Sequence, residues 1–195
     1  RIMFEDFEDA NLNEGFSIDD IWIGEREKLV LLEHFTNMGS ITAPTVDANV
    51  NTIVGNNPND VVDIQYHTNF PGDDAFNSIN PAPPSSRVFY YGVTKTPNSI
   101  MDGNQYNGIS WTQNSLELRV LQDPQFDIEL TTTVNGVDLD ISAILRSNIV
   151  LDSTDLSFHV AITEKQVGGY SSILRDMVPD AEGIGFKRAW QVDKY

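Results

Sequence analysis

The sequence predicts an α+β protein, in which an α/β domain over residues 28–122 is followed by an antiparallel β-sandwich over 123–195. Two observations carry this reading. Near-continuous apolar runs of strand length at 29–35 and 61–66 bracket a segment with helical spacing, as expected for parallel strands covered on both faces. From Gln125 onward the apolar period changes to two, the mark of antiparallel strands with one buried face.

Taken in order, residues 1–27 alternate short apolar stretches with Asp, Asn and Gly, which suits one or two strands from the end of a preceding β-module or linker. LVLLEHF (29–35) reads as a central strand. Pro44 opens PTVDANVNTIV, where Val46, Val50, Ile53 and Val54 fall at helical spacing and Gly55 stands where the helix would stop. VVDIQY (61–66) is the second strand, and the β-α-β order makes the pair parallel. Pro71, Pro81, Pro83 and Pro84 break up 69–86, so a short helix is expected to resume at SSRVFYYG. KTPNSIMDG reads as a strand entered through Pro97 and closed at Asp102-Gly103, and 111–122 as a helix laying Leu116, Val120 and Leu121 on the sheet.

The second half alternates through Phe126, Ile128 and Leu130, through Val137, Leu139, Ile141, Ala143 and Leu145, and through Leu156, Phe158, Val160 and Ile162. Asn135-Gly136 is the strongest hairpin signal in the chain, because a type I′ turn needs positive φ at both central residues. Residues 165–195 are expected to be a long loop leading into a last strand near FKRAWQV.

With 29 acidic against 12 basic residues, the net charge of −17 would repel a nucleic-acid backbone and an anionic membrane surface alike. No apolar run is long enough to give a transmembrane segment. The first residue is Arg1, and a fragment of a larger protein is the expected source. There is no cysteine, which removes disulfides, thiolate metal sites and cysteine nucleophiles together.

That absence matters at one place. The stretch VLLEHFT (30–36) with Pro44, then Asp74, Phe76, Asn77, Arg87, Tyr90, Tyr91, Gly92, Val93, Pro97, Asp102 and Gly103, resembles the 28-kDa outer membrane protein (Omp)-related family of Bacteroidota-like surface proteins. HVAITE (159–164) and Leu174-Arg175-Asp176-Met177 with Gly183 are similar to that family's β-rich C-terminal part. The resemblance implies a thioredoxin-like domain in which Ser40 and Ala43 occupy the two cysteine positions and Pro97 the cis-proline position. Serine is not ionised near neutral pH and alanine offers no resolving group, so this degenerate redox site has no thiol-disulfide chemistry. The implied location is the cell envelope, at the outer-membrane surface, or outside the cell. GFSIDDIWIG (15–24) resembles the closing strand of jelly-roll or MAM-like adhesion modules.

Other readings compete. His34 and His67 end the two neighbouring strands, and with Asp73 or Asp74 they could bind zinc as a metal-dependent binding protein or hydrolase; histidines at strand ends are more often packing or hydrogen-bonding residues. Asp19-Asp20 and Asp73-Asp74 could hold calcium, yet neither lies in an EF-hand loop. Ser40 is expected to cap the helix rather than to act as a nucleophile. Phe89, Tyr90 and Tyr91 are expected to seal a core, and His159 to lie on the surface of a strand. The function expected is that of a non-catalytic module, binding a protein or spacing neighbouring domains.

Overall fold

The computed structural model describes residues 28–105 and 111–192 of the chain. The expected strands of the N-terminal segment, and Asp19-Asp20 with them, lie outside the described residues. The described chain is mixed α+β, with ten strands in three sheets and four helices.

Strand β1 (Val30–Thr36) runs parallel and in register with β2 (Val61–His67), from Val30 opposite Val61 to Thr36 opposite His67. Helix α1 (Ala43–Asn56) crosses between them. On the other side of β1 lies β3 (Asn98–Met101), antiparallel, followed across the Asp102-Gly103 turn by the short β4 (Asn104–Gln105). Both turn residues have positive φ, and the Asp102 side chain accepts a hydrogen bond from the Leu31 N–H and holds the Lys28 ammonium at 2.8 Å.

In-register pairs share a face, so the sheet divides cleanly. One face carries Val30, Leu32, Val61 and Met101, packed against Val46, Val50, Ile53 and Val54 of α1 and against Leu116 and Val120 of α4 (Gln113–Val120). The other carries Phe35, Tyr66 and Ile100, packed against Val88 and Tyr91 of α3 (Ala82–Tyr91) and against Leu174 and Met177. Between β2 and α3 sits the short α2 (Ala75–Ile79), capped by the Asp74 carboxylate, which accepts from the N–H groups of Phe76 and Asn77.

Several expectations change here. Pro83 and Pro84 do not delay α3 but lie in its first turn, where a missing N–H and a fixed φ are harmless. Leu121 is not laid on the sheet: α4 ends at Val120 and the side chain is 69% exposed. Phe89 and Tyr90 do not seal a core, being 89% and 70% exposed, because only every third or fourth position of α3 faces the sheet.

The C-terminal strands do not form one sandwich half. β8 (Val160–Val167) and β9 (Tyr170–Val178) are a hairpin that joins the main sheet, β9 pairing with β2, to give the order β4-β3-β1-β2-β9-β8. β5 (Phe126–Asn135) pairs with β6 (Asp138–Ser147), and β7 (Leu151–Phe158) with β10 (Ile184–Trp190), as two separate ribbons. The alternation from Leu156 to Ile162 is not one strand, since the ladder breaks at His159 between β7 and β8. Residues 165–178 are likewise not loop: Gly168 and Gly169, both at positive φ, make the tight turn between β8 and β9. The Asn135-Gly136 hairpin is present but shifted by one residue. Asn135 pairs with Asp138, so Gly136 and Val137 are central, with positive φ at Gly136 alone, as a type II′ turn requires.

Candidate functional site

The polar groups of the main sheet gather at the carboxyl ends of β1 and β2, where α1 begins. Phe35 and Tyr66 fix the frame, stacked with centroids 4.9 Å apart and both fully buried. Beyond them the chain leaves β1 through Asn37, Met38, Gly39 and Ser40, and this loop is tied down from below. The Asn37 amide donates to the carbonyls of Thr68 (2.7 Å) and Gly72 (2.8 Å), and its oxygen accepts from the Gly39 N–H. The Met38 N–H donates to Asp74 Oδ2 at 2.8 Å. A side chain at Gly39 would meet the Gly72 backbone at 3.1 Å, so the two loops approach closely only because Cβ is missing there.

Ser40 Oγ donates to the Thr96 carbonyl at 3.2 Å, immediately before Pro97, and the Thr96-Pro97 bond is cis. Ala43 is the first residue of α1 and is buried. The structure therefore brings Ser40 to the Thr96-Pro97 loop, with Ala43 one turn further along the helix start. Ser40 does not cap α1: the N-cap is Thr42, and no side chain hydrogen-bonds to the free N–H groups.

His34, His67, Asp73 and Asp74 are not assembled as one ligand set. His34 is fully buried with both ring nitrogens engaged, Nδ1 at 2.8 Å from Ser99 Oγ and Nε2 at 2.8 Å from Asp47 Oδ1; Thr36 Oγ1 donates to the other Asp47 oxygen. His67 pairs separately with Asp74 through Nδ1 (2.8 Å) and lies against the rings of Phe76 and Tyr170. Asp73 is exposed. Among the described residues no group of three or more His, Asp and Glu side chains converges as a metal ion would need. Burial pushes the Asp74 carboxyl up, but hydrogen bonds from His67 and from the N–H groups of Met38 and Asn77 outweigh it and hold the group below its ordinary value.

Asp47 escaped the sequence reading, although it carries a signal. It occupies the inward face of α1 with Ala43 and Val50, and a carboxylate at an apolar-face position needs a partner. Glu33 carries the same signal inside an otherwise apolar strand. It is buried on the opposite face of the sheet, where Arg87 Nε and Nη2 donate to Oε1 at 2.9 and 2.7 Å, Tyr66 donates to Oε1 at 3.0 Å and Tyr91 to Oε2. Burial, reinforced by the Glu33 charge and hydrogen bonds, pushes both phenols well above their ordinary range. A raised folded pKa stabilises the protein below the unfolded value of about 10 and loses that contribution as pH rises toward the folded one. Alkaline titration followed by phenolate absorbance should therefore leave Tyr66 and Tyr91 silent until the chain unfolds. A single ordinary wave covering every tyrosine would contradict this.

Above the tied loop the surface changes character. Ile41 is 97% exposed, and Met38, 38% exposed, lines a cleft of about 330 Å³ with Pro44, Asp47, Gln65, Gly169 and Tyr170. His159, expected on a strand surface, instead lies half-buried between β7 and β8, with Nδ1 buried and without a hydrogen-bond partner. No helix of the described residues is long and apolar enough to cross a membrane.

No family model matches the chain, and no curated protein does. Two solved structures resemble it. HBP35 of Porphyromonas gingivalis is 12% identical with a TM-score of 0.60, the likeness covering 89% of this chain and 67% of that one. A protein from Agrobacterium tumefaciens determined by a structural genomics consortium is 17% identical with a TM-score of 0.46, over 83% of this chain and 77% of that one. The likeness to HBP35 is one of fold.

Proposed function

We propose that residues 28–122, whose sheet the β8–β9 hairpin extends, are a thioredoxin-like domain that has kept a binding scaffold and lost its chemistry, and that the chain is a non-catalytic, protein-binding module of an exported or cell-surface protein. The order β4-β3-β1-β2, with β1 and β2 parallel and the start of α1 facing the Thr96-Pro97 loop, supports the domain assignment. The origin of HBP35 in Porphyromonas gingivalis, a member of the Bacteroidota, is in keeping with a surface protein from that group.

One observation carries the binding reading. The β1–α1 loop is held by hydrogen bonds that the Asn37 amide donates and that the Asp74 carboxylate accepts from Met38 N–H, yet it turns Ile41 and Met38 outward, Met38 at the wall of an open cleft. A rigid loop that presents apolar side chains lowers the entropy lost on binding. The occupant proposed is an extended peptide segment of another protein, laid across the exposed Met38 and Ile41.

Panning a displayed library of extended peptides against the whole chain tests the idea, with Ile41→Asp as counter-target. Enriched peptides should bind Ile41→Asp at least ~10-fold more weakly, a difference of about 1.4 kcal/mol. Failure to enrich any peptide over that variant would leave a spacer. Stoichiometric zinc or calcium in the purified protein would favour a metal-dependent role instead.

A further inference from the structure

We propose that the apolar face of the β5–β6 ribbon is a self-association surface, covered by the same face of a second copy of this chain. The inference is independent of the peptide groove. The ladder register puts Phe126, Ile128, Leu130, Thr132 and Val134 on one face with Leu145, Ala143, Ile141 and Leu139 opposite the last four. At its root this face turns toward the body of the protein: Phe126 meets Trp190 edge to face at 5.2 Å, and Ile128 borders two cavities beside Leu31. Further out it is open. Ile128, Leu130, Val134 and Leu139 are 60%, 56%, 71% and 45% exposed.

A two-stranded ribbon alone is marginal in water, because one ladder of hydrogen bonds and one uncovered apolar face do not offset the entropy of ordering it. Among the described residues β5 and β6 pair only with each other. The choice of a second copy as the cover rests on charge and area. Every charged residue of the ribbon, Asp127, Glu129, Asp138, Asp140 and Arg146, lies on the opposite face, where Arg146 pairs with Glu129. Two ribbons stacked through their apolar faces thus turn their own carboxylates away from each other, and a chain of net charge −17 meets its copy with no like charge contributed by the ribbon face. Ala143, opposite Leu130, leaves room at the centre of the face for a partner's side chain. With the half-buried Ile141, Ala143 and Leu145, each copy offers on the order of 500 Å² of apolar surface, as large as the largest patch on an ordinary monomer. Two such faces would remove roughly 1,000 Å² from water, the lower limit for a specific and weak interface.

Sedimentation of the whole chain tests this, together with single-cysteine cross-linking that the absence of native cysteine makes unambiguous. We expect a monomer–dimer equilibrium in the micromolar range that tightens between about 0.05 and 0.5 M salt, as screening relieves the repulsion between the two bodies. Leu130→Asp should weaken it at least ~10-fold, whereas Ile41→Asp should leave it unchanged. Thr132→Cys, on the apolar face, should give an oxidised dimer much faster than Thr131→Cys on the acidic face. A strict monomer at ~100 µM, a dimer indifferent to Leu130→Asp, or equal cross-linking at the two threonines would each overturn the proposal.

Discussion

Replacing Arg87 with alanine should destabilise the protein by about 3–5 kcal/mol, because it strips the cation from a carboxylate buried to 1% exposure. Glu33 lies in the middle of β1, buried, and its oxygens are shared among Arg87, Tyr66 and Tyr91. Without the guanidinium, two phenols remain to solvate a full negative charge, and they supply dipoles rather than a countercharge. The loss is a property of the orphaned partner, not the worth of the pair, since a buried pair gains little over a well-packed neutral replacement. A double variant, Glu33→Gln with Arg87→Met, should therefore recover most of the stability, the amide still accepting from the tyrosines. Chemical denaturation of the wild type, both single variants and the double variant measures this directly. If Arg87→Ala lost under about 1 kcal/mol, the carboxylate would have to be solvated in a way this arrangement does not allow.

Phe35→Ala is the second large effect, also about 3–5 kcal/mol, for a different reason. The ring is fully buried, stacks on Tyr66 and meets Tyr91 edge to face at 6.2 Å. Removing it opens a cavity in the cluster that joins β1 to β2, α3 and Leu174 and Met177 of β9. Because that cluster holds the C-terminal hairpin to the main sheet, the thermal midpoint should fall by roughly 10 °C for a chain of this size. Leu121→Ala, at an exposed position, is the control and should stay within about 0.5 kcal/mol. A Phe35→Ala variant as stable as that control would mean that the two sheet faces are not sealed as described.

The N-terminal half was legible because its elements are local and their patterns unmixed. The apolar runs at β1 and β2, the helical spacing of Val46, Val50, Ile53 and Val54 and the Asp102-Gly103 turn each specify one structure from their own residues. The absence of sulfur at residues 40 and 43 also needed no coordinates, since it is a matter of atom type. The second half was less legible. Gly168-Gly169 is compatible with a loop or with a tight turn, and the choice falls to the turn because β9 can lay Ile173, Leu174 and Met177 into the core beside β2.

Of the candidate site, the sequence by itself determined which atoms are present: no thiol, a histidine at each of residues 34 and 67, and carboxylates at Glu33 and Asp47 whose inward placement went unread. Only the tertiary structure decided how they pair. His34 is taken by Asp47 and Ser99, His67 by Asp74, and Glu33 by Arg87, which is 54 residues away along the chain. Pairings between distant residues are set by which face of the sheet each side chain occupies and which helix covers that face. The period of a sequence fixes the first for each strand, but the second is settled only when the helices pack, because burying a charge is tolerable only where an opposite charge or hydrogen bond meets it.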